Sequence, residues 1–140
     1  MRVLACLALM TTLAACGSSA TAPTPPAVAG HWQGSITSPS DGVGTITLDL
    51  AQTGAEVTGT VLLSQPGLPD APGTLTGTLT TSPSASLRYT AFYDYGDGCT
   101  GTYNGSLDVT DGQLSGTYIG QNCAHTFTGS LNVTRKTQTP

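Results

Sequence analysis

One pattern recurs through most of this chain: an apolar residue, a glycine and a second apolar residue, each at alternate positions. It runs Trp32-Gly34-Ile36, Val57-Gly59-Val61, Leu75-Gly77-Leu79, Tyr103-Gly105-Leu107, Leu114-Gly116-Tyr118 and Phe127-Gly129-Leu131. A period of two belongs to β-strands, and the intervening residues are chiefly Thr, Ser, Asn and Asp, so each strand has one inner and one wet face. Ile46, Leu48 and Leu50 keep the same parity without a glycine. No helical period follows Trp32. Glycine weakens a strand interior, so its repetition near strand centres predicts either sharp coiling or close packing across a narrow core.

Turn residues divide the pattern into eight strands, at roughly 31–38, 43–52, 56–64, 74–81, 86–93, 99–109, 113–120 and 125–135. Asp41-Gly42, Thr53-Gly54, Ser82-Pro83 and Asp111-Gly112 supply the backbone angles that tight connections need. Such a series predicts an all-β domain, an eight-stranded antiparallel up-and-down (meander) barrel. Closure removes the strand edges that a chain with so few lysines leaves unguarded. A β-sandwich is the alternative, in which the first and last strands do not pair. Only 9% of residues are charged and the net charge is −4, so no basic footprint for nucleic acid is present. Low charge does not imply disorder here, because the polar positions are largely threonine, a strand former.

Gly30-His31-Trp32 opens the first strand and Arg135 ends the last, on the inward parity of Phe127, Leu131 and Val133. In a closed meander these two strands are neighbours, so Trp32 and Arg135 fall at one end and can stack there as a structural plug. The Gly-x-Trp start with a terminal arginine resembles the calycin group, which comprises lipocalins, fatty-acid-binding proteins and avidins. That resemblance implies a calycin-like barrel; no set of residues matches an avidin biotin site. The short connections 53–55, 82–85 and 110–112 gather at the plugged end, and 39–42, 65–73, 94–98 and 121–124 at the other, which forms a mouth. Cys99 and Cys123 both lie at that mouth. Two thiols in an oxidising compartment read as one disulfide, with a metal pair or two free thiols as alternatives. Strands two apart are separated by about 9.6 Å, so the 121–124 loop has to fold inward for the two cysteines to meet.

The first residues carry a different signal. Arg2 is a positive start, Val3 to Met10 a short apolar run, and Leu13-Ala14-Ala15-Cys16 a lipobox. Leader and box resemble bacterial lipoprotein precursors, which implies removal of 1–15 and lipidation of Cys16, hence a membrane anchor and a cell-envelope location. Gly17 after the cysteine resembles outer-membrane sorting. Two or three acyl chains hold a protein firmly where one does not. Residues 16–30, rich in Pro, Ala, Ser and Thr, form the expected tether, reaching up to about 40 Å if extended. Residues 31–136 form the barrel domain and 137–140 a tail.

Chemistry is sparse. No Gly-x-Ser-x-Gly elbow, His-Glu-x-x-His helix or phosphate loop appears, and His31 and His125 are expected at opposite ends, so the chain is expected not to be an enzyme and to need no cofactor or metal. Asp94-Tyr95-Gly96-Asp97-Gly98 has the acids and glycines of a calcium loop without the EF-hand spacing, and an acidic turn is preferred. Tyr89, Tyr93, Tyr103 and Tyr118 lie on the inward parity, and with His125 they would line a cavity for a small apolar ligand or form a collapsed core. The expected role is a lipid-anchored, non-enzymatic envelope protein with a small-ligand-binding or structural barrel. The alternative is an envelope-anchored protein-binding or inhibitor domain acting through its mouth loops, where Gln65-Pro66-Gly67-Leu68-Pro69-Asp70 offers an exposed segment. No oligomeric state follows from the sequence.

Overall fold

The computed structural model describes residues 23–96 and 98–137. The lipobox with Cys16, together with Asp97 and 138–140, lies outside the described residues. Eight strands follow one another: β1 Gly30–Ser38, β2 Gly42–Thr53, β3 Glu56–Ser64, β4 Ala71–Thr80, β5 Ser86–Asp94, β6 Thr100–Thr110, β7 Gln113–Gln121 and β8 Thr126–Arg135. Each pairs antiparallel with its successor, and β8 returns to β1, closing the barrel. The sandwich alternative is thereby excluded. The β1–β8 seam runs from Trp32↔Arg135 to Thr37↔Ser130.

The two faces separate as the alternation requires. Trp32, Ile46, Leu48, Leu63, Leu87, Leu107, Leu114 and Val133 are among the fully buried side chains. Outside, polar pairs span the strands: Thr37 Oγ1 and Ser130 Oγ are 2.6 Å apart, Thr80 Oγ1 and Ser86 Oγ 2.7 Å, and Thr90 Oγ1 donates to Asn104 Oδ1 at 2.8 Å. Cross-strand pairs of this kind suit a wet, threonine-rich face.

The glycines do both things expected of them. A Cβ on Gly116 would overlap the Ser106 carbonyl of the paired strand, and one on Gly34 the Asn132 carbonyl, so the sheet coils until the neighbouring backbone fills the side-chain position. The glycines also alternate with aromatic rings around the circumference. Gly77, Tyr89, Gly105, Tyr118 and Gly129 form one row across β4 to β8, and Tyr103, Gly120 and Phe127 a second. The Tyr89 ring lies 2.7 Å from where a Gly105 Cβ would stand. A narrow barrel cannot hold a large side chain on every strand at one level, and alternation of ring with glycine fills it evenly.

The plugged end is more elaborate than the sequence suggests. Arg135 lies over the Trp32 ring, its guanidinium carbon 4.4 Å from the centroid. The expected tether, 16–30, includes residues that dock here as a strap. Val28 is fully buried, its N–H donates to Gln52 Oε1 at 2.7 Å, and its carbonyl accepts from Trp32 Nε1 at 2.8 Å. Gln52 Nε2 donates to the Pro26 carbonyl at 3.1 Å, and Arg135 donates to the Ala27 and Ala29 carbonyls at 2.6 and 2.5 Å. The chain therefore reaches the barrel at the end opposite the mouth.

Candidate functional site

The mouth collects the longer connections: 39–41, 65–70, 95–99 and 122–125. Each is held by its own chemistry. In the first, the hydroxyls of Ser38 and Ser40 are 2.8 Å apart and Ser40 Oγ donates to Asp41 Oδ2 at 2.8 Å, which fixes the carboxylate over the opening. In the third, Gly96 N–H donates to Asp94 Oδ1 at 2.9 Å and Tyr95 N–H to the Cys99 carbonyl at 3.0 Å. Asp94 thus caps an Asx turn, and Asp97, the other acid of the expected acidic turn, lies outside the described residues. In the fourth, Asn122 Oδ1 accepts the N–H groups of Ala124 and His125 at 2.9 and 3.0 Å.

Cys99 and Cys123 form the disulfide, with Cα atoms 5.6 Å apart. The β7–β8 connection reaches across β7 to make it, as the strand spacing requires. The bridge thus ties two mouth loops together.

The inward tyrosines are all buried and pack against one another in the barrel interior, and Tyr103 also reaches the mouth pocket. Tyr103 packs against Tyr93, Tyr118 and Phe127 at ring distances of 4.6, 5.0 and 5.2 Å. Tyr89 and Tyr93 are held in the phenol form well above the usual range by burial, and Tyr103 likewise. These rings pack on one another as a collapsed core would, while Tyr103 also lines the mouth pocket. His125 departs from the expected set. It is exposed, with its ring 5.6 Å from that of Phe127 at the rim, because β8 begins one residue later and strand parity does not carry into the loop. His31, at the other end, pairs with Asp49 at 2.7 Å.

What remains open is a pocket of about 230 Å³ set into the mouth. Every mouth loop contributes to it: Asp41 from the first, Gln65, Leu68 and Pro69 from the second, Tyr95 and Cys99 from the third, Asn122 from the fourth. Tyr103 and Phe127 line it from the strands. The hydroxyls of Tyr95 and Tyr103 are 3.0 Å apart. Burial and then the negative charge of Asp41 push Tyr118 up to about 12, and burial, opposed by the Tyr103 hydrogen bond and aided by Asp41, raises Tyr95. A larger groove of about 660 Å³ crosses the outside of β4 to β7 past Thr76, Arg88 and Asn104. That groove is a shallow saddle made by the coiling at Gly77 and Gly105, whereas the walls of the mouth pocket converge.

No protein-family model matches the chain, and no curated protein matches it. Among solved structures it is similar to a redesigned β-barrel, with a TM-score of 0.59 at 12% identity, over 78% of this chain and 91% of that one. The fold is that of a small closed β-barrel. At this identity the likeness concerns architecture alone.

The sequence does not single out Asp41, Asn122 and Phe127 as site residues, and it offers Gln65 only within the exposed mouth segment 65–70. In the sequence Asp41 reads only as half of a turn, and Phe127 only as core. The signal that identifies them is shared position: all four lie at or beside the mouth ends of strands once the strand directions are assigned.

Proposed function

We propose that this chain is a non-enzymatic binding protein of the cell envelope, anchored by lipid on Cys16, whose working part is the mouth pocket of a calycin-like barrel. One observation carries the reading: strap and mouth lie at opposite ends. The N-terminal chain meets the barrel at Pro26 to Ala29, while the pocket and all four longer loops face the other way. A domain tethered at its plugged end presents its recognition surface away from the membrane. The Gly30-His31-Trp32 opening stacked beneath Arg135 supports the calycin-like reading. Small-molecule sites range from roughly 300 to 1,000 Å³, so a pocket of about 230 Å³ suits a compact group more than an extended lipid.

A second reading, a protein-binding or inhibitory mouth, is favoured by one observation. Val43, Leu62, Leu68, Phe92 and Ile119 are the exposed large apolar residues among the described residues. All five stand at the mouth ends of their strands or in a mouth loop. Apolar surface gathered at one end marks an interaction site more than scattered residues do.

Fractionation of cells making the full chain or Cys16→Ser tests the anchor. The full chain is expected with the membranes and C16S in the soluble fraction with an intact barrel by circular dichroism. A full chain in the soluble fraction, or an unfolded C16S, overturns it. Native mass spectrometry of the full chain released from its own envelope tests the binding role. A bound small molecule or a copurified protein is expected, and a bare chain under both mild and crosslinked extraction overturns the role.

A further inference from the structure

We infer that the mouth pocket recognises a positively charged group, an alkylammonium or guanidinium, with Asp41 as its counter-ion and Tyr95, Tyr103 and Phe127 as its walls. The inference rests on the proposal that the mouth is a binding site and adds the chemistry of what enters it. An aromatic face attracts a cation through its quadrupole, and several faces around one carboxylate select a cation over a neutral group of equal size. The pocket supplies both parts. Tyr95, Tyr103 and Phe127 bring three rings, and Asp41 lines the same pocket with its carboxylate held by the Ser40 hydroxyl. Leu68 and Pro69 close the remaining side with apolar surface, which suits the methylenes of an alkyl stem.

The distribution of charge points the same way. Asp41, Asp70 and Asp94 stand at the mouth with no Lys or Arg there, whereas Arg88, Arg135 and Lys136, the Lys and Arg among the described residues, lie toward the plugged end and offset Asp49, Glu56, Asp108 and Asp111. An anion would meet no Lys or Arg among the described residues at the mouth. A cation meets a field that draws it in and weakens with salt. The volume of about 230 Å³ fits one such group with its stem. The group has two possible sources, a free amine or a Lys or Arg side chain presented by a partner, and both offer the same chemistry to the pocket.

Amide chemical-shift mapping of the full chain in detergent, titrated with butylammonium, butanol and an Ala-Lys-Ala peptide amide, tests this. The cationic probes are expected to move the amides of Asp41, Tyr95, Cys99 and Asn122, with butanol at least about tenfold weaker, the difference expected of a charged hydrogen bond. Asp41→Asn is expected to weaken the cationic probes by about tenfold and leave the fold unchanged, because the residue is an exposed turn position. Tighter binding of the peptide than of butylammonium assigns the cation to a partner side chain, and the reverse order assigns it to a free amine; both support the inference. Equal binding of butanol and butylammonium, or D41N binding both alike, overturns the charge preference and leaves the mouth a binding site. No mouth response to any of the three overturns the charge inference, whereas the broader binding role stands or falls by the native mass spectrometry.

Discussion

The ring of Tyr118 lies across Gly129, and its hydroxyl donates to the Thr37 carbonyl, 3.1 Å away on the strand beyond. One side chain on β7 thereby spans β8 and grips β1, bracing the seam where the two ends of the barrel meet. Gly129→Ala is expected to destabilise the fold by about 1–3 kcal/mol, because the new methyl meets both the ring and the Thr37 carbonyl. Tyr118→Phe keeps the ring and removes one hydrogen bond, for about 1 kcal/mol. Urea unfolding of the two variants checks the order. A G129A protein as stable as the parent would show that the seam yields freely at this point.

Arg135 joins three partners at once: the Trp32 face and the carbonyls of Ala27 and Ala29. Arg135→Ala is expected to cost about 1–3 kcal/mol and to shift the fluorescence of Trp32, the single tryptophan, as water reaches the ring. Arg135→Lys is expected to recover only part, because a compact ammonium cannot fork to two carbonyls while stacking. Equilibrium unfolding followed by tryptophan emission measures both.

The tyrosines set an alkaline limit. All five have folded pKa values raised above the ordinary 10, chiefly by burial, with Tyr118 at about 12. Between 10 and those higher values the unfolded chain loses protons that the folded barrel retains, so stability falls as pH rises. Below about pH 9 both states keep their protons and these groups contribute no slope. Thermal melts are expected to be flat with respect to tyrosine ionisation from about pH 7 to 9 and to drop above about pH 10. A melting temperature constant to pH 12 would contradict the burial of these hydroxyls.

The disulfide closes a segment with a sequence separation of 24 residues. Replacing both cysteines by serine is expected to cost on the order of 3 kcal/mol, since the unfolded chain regains the freedom the bridge removes. The β6–β7 ladder, paired from Thr102↔Gln121 to Thr110↔Gln113, is expected to persist without it. Hydrogen exchange is therefore expected to quicken first in 95–99 and 122–125, and a uniform increase along all eight strands would count against a bridge that braces only the mouth.

Strand architecture was legible because alternation and turn chemistry agree. The third strand, expected at 56–64, is found at Glu56–Ser64, with Thr53-Gly54 marking its start. The fourth begins earlier than the expected 74, at Ala71. Pro72 masks that extension by looking like a loop residue, yet it sits outward opposite Leu62. In the sequence Val28 looks like tether, because one apolar residue among Pro and Ala has no period and its partner Gln52 looks like any wet strand residue. The mouth pocket was less legible still. Its walls come from four irregular connections whose approach depends on the disulfide and on Asn122, and no pattern along the chain records that convergence. His125 shows the limit most plainly: it shares the parity of Phe127 but stands outside the strand that gives parity its meaning.

The strap also determines how the molecule meets mechanical load. A pull on the chain ahead of Pro26 does not act first on the β1 ladder. It is taken up by Gln52 and Arg135, whose side chains clamp Pro26, Ala27 and Ala29. Tension is thus shared by β2, β8 and the Trp32 side chain of β1 before the seam is loaded. In single-molecule stretching from the N-terminus, R135A is expected to yield at lower force than the parent, while stretching from the mouth loops leaves that clamp unloaded.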